Sequence, residues 1–168
     1  MNAPVHVIEV FLRPGEFYFG ERNTRIRTLL GSCVSITVWH PLRRVGGMCH
    51  YMLPSRGSRR TGPLDGRYAE DALELFLQAM RARGTHPREY QVKLVGGGNM
   101  FINAAPGQAV TVADRNVEAG RRLLQRHGFR VQAEAVGDAG HRQIIFELWN
   151  GHVWVRRTPL TAPRTAVA

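Results

Sequence analysis

The chain has 168 residues, of which 43% are hydrophobic, and a formal net charge of +10 carried almost wholly by arginine, with Lys93 the single lysine. This length suits one domain whose core needs no staple. Two cysteines make no disulfide framework, no apolar run reaches the roughly 18 residues of a membrane span, and "MNAPVHVIEVFLRPGE" lacks the basic start and long apolar stretch of a signal peptide.

In chain order, Val5–Phe11 reads as a strand and "RPGEF" as a turn. Cys33–Trp39, "CVSITVW", is rich in β-branched residues and predicts a second strand. "HPLRRVGG" then turns the chain, and Met48–Leu53 returns to pair with it as a hairpin. From Pro54 to Gly66 the composition shifts to Ser, Gly, Pro and Arg, which predicts a mobile loop. Over Arg67–Arg83, residues Ala69, Ala72, Leu73, Phe76, Leu77 and Met80 recur at helical spacing, and Gly84 supplies the stop. Tyr90–Val95 predicts a strand running into "GGGNMF", Gly96–Phe101. Its glycines permit close backbone approach, and the Lys-Ser/Thr of a phosphate loop does not follow. Asp114–Arg126 predicts the second helix, with Val117, Leu123 and Leu124 packing and Gly128 just past the end. Phe129–Val136, Gln143–Leu148 and Val153–Arg156 predict three more strands, the last two joined as a hairpin through Asn150-Gly151. The segment 158–168 is expected to fray. Strands interleaved with two long helices give an α/β fold of the mixed, α+β kind: a layered sandwich of mixed β-sheet with two main helices. One domain is expected over 1–168, with its core at about 5–157.

The arginines are scattered in twos and threes, with no long basic run and no aromatic–basic interleaving. A basic chain of this kind suits an acidic protein surface better than nucleic acid.

The two cysteines, Cys33 and Cys49, lie either side of one predicted hairpin, and Cys49 is followed by His50. A structural zinc would need close ligand pairs, which are absent, so no metal is expected. A disulfide fits a hairpin but not a reducing cytoplasm. Two buried core thiols and a nucleophile with its base both remain open. The local context of Cys33 favours reactivity. "GSC" sits where a turn enters a strand, Gly31 lets the chain bend, and the backbone N–H at Ser32 and Cys33 could face a developing oxyanion. His50 on the return strand would approach Cys33 across the hairpin and could hold its sulfur as thiolate. Cys49, next to His50, would point to the opposite face and into the core. Asn99 in the glycine-rich segment either holds a substrate amide or caps a turn, and the turn role is preferred.

"TLLGSCVSITVWHP", "GGMCHYMLP", "KLVGGGNMF", "RNVEAGRRLLQRHGFRVQAEAVGDAG" and "GHVWVRR" resemble, in order, the CheD family of chemoreceptor glutamine deamidases, over roughly Val7 to Arg157. The resemblance implies a cytoplasmic protein-glutamine glutaminase that converts Gln side chains of methyl-accepting chemotaxis receptors to Glu, and a layered α/β sandwich shared with bacterial toxin deamidases. It implies Cys33 as nucleophile, His50 as base and Thr28 as the third catalytic member upstream of the cysteine. No cofactor is expected. A CheC-type phosphatase is implied as a second partner, without nucleic acid or membrane insertion, and the protein is expected to be a monomer. A non-catalytic adaptor binding receptors or the phosphatase is the alternative.

Overall fold

The β-branched run after Cys33 forms the middle strand of the larger of two sheets. The computed structural model of the protein describes residues 2–58, 61–101 and 110–160. Its elements in chain order are β1 (Ile8–Phe11), β2 (Phe17–Gly20), β3 (Thr24–Leu30), β4 (Val34–His40), β5 (Val45–Cys49), α1 (Ala69–Arg81), a 3-10 turn at Pro87–Glu89, β6 (Gln91–Gly96), α2 (Val112–Arg126), β7 (Arg130–Val136), β8 (His141–Glu147) and β9 (His152–Thr158). A five-stranded sheet runs β2-β5-β4-β6-β7 and a four-stranded sheet runs β1-β3-β8-β9. Both are mixed: β6 and β7 are parallel, as are β1 and β3, and the remaining pairs are antiparallel.

The alternation along β4 sets the layers. Val34, Ile36 and Val38 face the helices and pack with Leu73, Phe76 and Leu124. Cys33 and Trp39 face the other way, toward Ile26, Leu30, Ile144 and Phe146 of the four-stranded sheet. The order is therefore helices, large sheet, small sheet, with one apolar layer on each side of the large sheet. Helix α2 starts at Val112 because Thr111 caps it: its hydroxyl accepts the Asp114 N–H at 3.1 Å, and the Asp114 carboxylate accepts the Thr111 N–H at 2.9 Å.

The α+β class, the two helices and the β4–β5 and β8–β9 hairpins agree with the sequence expectation. Three features differ. There are two sheets rather than one. Strands β2 and β3, which the sequence reading left unassigned, supply an edge of the first sheet and the second strand of the other. The return strand of the hairpin spans Val45–Cys49 rather than Met48–Leu53, because Val45–Met48 pairs with Thr37–His40 on one side and Gly46–Cys49 with β2 on the other. His50 therefore follows the strand, and pairing resumes only at a single Val34–Tyr51 bridge. The Pro54–Gly66 segment is fastened to α1 by Arg56, which pairs with the buried Asp71 at 2.6 Å; residues 59–60 lie outside the described residues. The final strand runs through Thr158, the first residue of the tail expected to fray, and residues 161–168 of that tail lie outside the described residues. No helix of the described residues is long and apolar enough to cross a membrane.

Candidate active site

The register of the hairpin decides which side chains share a face. Thr37 pairs with Met48 and Val34 with Tyr51. This sets Ser35 opposite His50 and Cys33 opposite Met52. Side chains two apart on a strand share a face, so Cys33 and His50 lie on the same face as diagonal neighbours. That face is the one covered by the small sheet. Cys49 faces the helices, fully buried among Tyr51, Phe76 and Leu94. Its thiol is pushed up to about 12 by burial, which keeps it protonated and inert. The two cysteines are free, and they occupy opposite faces of the sheet.

Thr28 arrives from the small sheet. On β3, Thr24, Ile26, Thr28 and Leu30 point inward while the residues between them point out. The Thr28 hydroxyl lies 2.7 Å from His50 Nδ1 and 2.8 Å from the Leu12 carbonyl. A carbonyl only accepts, so the one hydroxyl proton goes to Leu12. The hydroxyl must then accept from Nδ1, which places the ring proton on Nδ1. The other nitrogen, Nε2, is left with a lone pair; it is buried and has no hydrogen-bond partner among the described residues. Burial lowers the pKa of His50, opposed by the Leu12 carbonyl and the charge of Glu16. The resting ring is thus a neutral, oriented base.

Cys33 is half-buried, and burial raises its thiol above the ordinary value, opposed by its own backbone N–H. The turn that carries it lies against the glycine-rich segment backbone to backbone. The Gly97 N–H donates to the Cys33 carbonyl at 2.8 Å and the Gly98 N–H to the Gly31 carbonyl at 2.9 Å. Gly96, at φ +123°, has no room for a side chain: a Cβ there would stand 2.3 Å from the Cys33 carbonyl oxygen. Gly31 differs from the sequence expectation. It is not in the left-handed region; a Cβ there would meet only the Met100 side chain, its sulfur at 3.0 Å.

The remaining predicted residues surround this turn. The Ser32 carbonyl accepts from the Asn116 carboxamide at 3.2 Å, and Ser32 also lines a largely apolar cleft of about 490 Å³ with Met100, Phe101, Val112 and Arg115. The Asn99 side chain accepts the Phe101 N–H at 2.9 Å, closing a turn. Among the described residues no group of His, Cys, Asp and Glu could hold a metal ion. Two contributors escaped the sequence reading. Leu12 acts through its carbonyl, to which side-chain patterns are blind. Asn116 did carry a signal: it is a polar residue on the apolar stripe of α2, beside Ala113, Val117 and Gly120.

Arranged in this way, a thiol on the same sheet face as an oriented imidazole suits acyl transfer through a covalent sulfur intermediate. Comparison with known proteins identifies the relatives of this chain. The family model described as CheD chemotactic sensory transduction matches residues 52–157. A "probable chemoreceptor glutamine deamidase CheD" of Pseudomonas savastanoi pv. phaseolicola is 55% identical over 96% of this chain and 92% of its own length. A "probable chemoreceptor glutamine deamidase CheD 3" of Dechloromonas aromatica is 53% identical over 91% of this chain and 89% of its own. Among solved structures, the hypothetical protein YfiH of Bacillus licheniformis covers 73% of this chain and 51% of its own at 15% identity, with a TM-score of 0.47.

Proposed function

The chain belongs to the CheD family, and from that premise we propose that it is a protein-glutamine glutaminase that deamidates Gln side chains of chemoreceptors, with Cys33 as nucleophile, His50 as base and Thr28 holding the base. The observation that carries this reading is the Leu12–Thr28–His50 chain of hydrogen bonds, which leaves Nε2 bare on the face that Cys33 shares.

Both groups rest neutral, so proton transfer accompanies attack. The Cys33 proton passes to His50 Nε2 as the sulfur bonds to the side-chain amide carbon. The carbonyl oxygen becomes an oxyanion, received by backbone N–H groups at Ser32 and Cys33. The imidazolium returns the proton to the leaving nitrogen, the C–N bond breaks, and ammonia departs from a thioester. Water then attacks the thioester carbon while His50 takes its proton. Collapse breaks the C–S bond, and His50 returns the proton to sulfur. The sum is amide plus water giving carboxylic acid plus ammonia. Thr28 never leaves His50 in this cycle and orients it throughout, as the third member of a triad does.

The family reading also brings a cytoplasmic setting and a CheC-type phosphatase that competes with receptors for a monomeric enzyme. The basic surface supports docking on acidic protein. The deciding experiment is mass spectrometry of receptor fragments after incubation, which reads amide-to-acid exchange at individual glutamines. Exchange is expected with the wild type and with Cys49→Ala, and none with Cys33→Ala or His50→Ala. Activity that survives Cys33→Ala, or fails only in Cys49→Ala, overturns the assignment. An adaptor without chemistry predicts no exchange in any variant.

A further inference from the structure

Asn116 takes no part in the reaction described above, yet it is completely buried in the middle of α2, where an unbonded carboxamide would be costly. Its Nδ2 donates to two carbonyls, that of Ser32 at 3.2 Å and that of Met52 at 2.7 Å. Ser32 immediately precedes Cys33. Met52 stands opposite Cys33 in the hairpin register and follows His50 by two residues. The Asn116 main-chain carbonyl in turn accepts the Tyr51 hydroxyl at 2.6 Å, and Tyr51 directly follows His50. One residue of one helix therefore ties the backbone on either side of the thiol–imidazole pair, at the place where the β4–β5 ladder has thinned to a single bridge.

We propose that Asn116 is a positioning residue, which fixes the separation of Cys33 and His50 by clamping the Ser32 and Met52 carbonyls. The roles of Cys33 and His50 rest on the deamidase reading; the hydrogen bonds of Asn116 do not. Both side-chain bonds are donated, and Oδ1 has no partner among the described residues. What the site requires is therefore the NH₂ group, not a polar residue in general. Losing it frees two buried carbonyls to drift, and sub-ångström to ångström displacement of reacting groups lowers turnover by up to about 100-fold.

The test compares Asn116→Ala with Leu124→Ala, a buried residue of the same helix that offers no polar group to either segment, at a temperature where circular dichroism shows both folded. Alkylation of Cys33 by iodoacetamide, located by peptide mass, needs no receptor. Asn116→Ala is expected to change its rate by roughly threefold or more and to move its pH profile, while Leu124→Ala matches the wild type. On receptor fragments, kcat of Asn116→Ala is expected to fall about 10- to 100-fold with KM held. If Asn116→Ala does not fold, Asn116→Ser, which also removes the NH₂ group but leaves a smaller void, replaces it in both assays. Equal alkylation rates and profiles for the Asn116 and Leu124 variants overturn the proposal, as does a wild-type kcat in the Asn116 variant. A wild-type protein inactive on receptors overturns the deamidase reading instead, and the alkylation comparison then decides on Asn116 alone.

Discussion

The Thr28 hydroxyl does two jobs with one oxygen: its proton satisfies Leu12, and its lone pair selects the His50 tautomer. Thr28→Val keeps the shape and removes both. Such a partner of a reacting residue is expected to be worth about 10- to 100-fold in kcat, with Thr28→Ser restoring most of it; steady-state kinetics on receptor fragments reads this directly. The pH dependence follows from burial. A histidine with a lowered pKa stays neutral to lower pH, so the rising limb of kcat/KM should be centred below the ordinary value of about 6.5. A thiol with a raised pKa ionises later, so alkylation of Cys33 in the free protein should have its midpoint above the ordinary value of about 8.5. An alkylation midpoint below that value would mean that thiolate and imidazolium already coexist without substrate. At this scale the sequence was uneven. Cys33 and His50 stand out by type and by the hairpin between them. Thr28 came only through family resemblance, because its partners lie 16 and 22 residues away.

At the scale of elements, the helices and hairpins were readable because their signals are local: a repeating apolar stripe, an Asn-Gly turn, a run of β-branched residues. Strand β3 was not, although "TRIRTLL" alternates with period two, because half of its inward face is threonine and reads as polar. What makes those threonines inward is the second sheet, which local pattern does not announce. Helix α2 shows how contacts between elements override propensity. Gly120 sits mid-helix, where alanine is ordinarily better by about 1 kcal/mol. A Cβ there would stand 2.5 Å from the Tyr51 hydroxyl, the group that bonds Asn116, and 3.0 Å from Leu94. Gly120→Ala is therefore expected to destabilise the protein, within the range of about 1–3 kcal/mol for overpacking, despite the gain in helix propensity. In a Tyr51→Phe background the offending oxygen is gone, and the same change should become neutral or stabilising. Denaturant unfolding of the four proteins of this cycle checks the reversal of sign.

Across the whole molecule, the candidate site is assembled from both sheets. Cys33 and His50 come from the hairpin of the large sheet, Thr28 from the small one, and Leu12 from the segment after β1. No single sheet contains the constellation, so its geometry depends on the layer of side chains between the sheets. That layer and the helix-facing layer are separate apolar clusters, which allows the dependence to be isolated. Ile144 lies in the inter-sheet layer, fully buried and paired in register with Thr28 itself. Leu73 lies in the helix-facing layer and is equally buried. Truncating either to alanine should cost about 2–5 kcal/mol, because each leaves a cavity that its neighbours fill only in part. Their effects on turnover should diverge. The Ile144→Ala cavity adjoins the strand position that carries Thr28, so β3 can settle toward it and draw the hydroxyl off His50 Nδ1; kcat should drop by roughly tenfold at temperatures where the protein remains folded. The Leu73→Ala cavity lies behind the large sheet, which separates it from the Thr28–His50 contact, and turnover should stay near wild type at matched folded fraction. Measuring kcat and unfolding free energy on the same samples separates the two. Equal losses of kcat would mean that the site draws its rigidity from the protein as a whole rather than from the contact between its sheets.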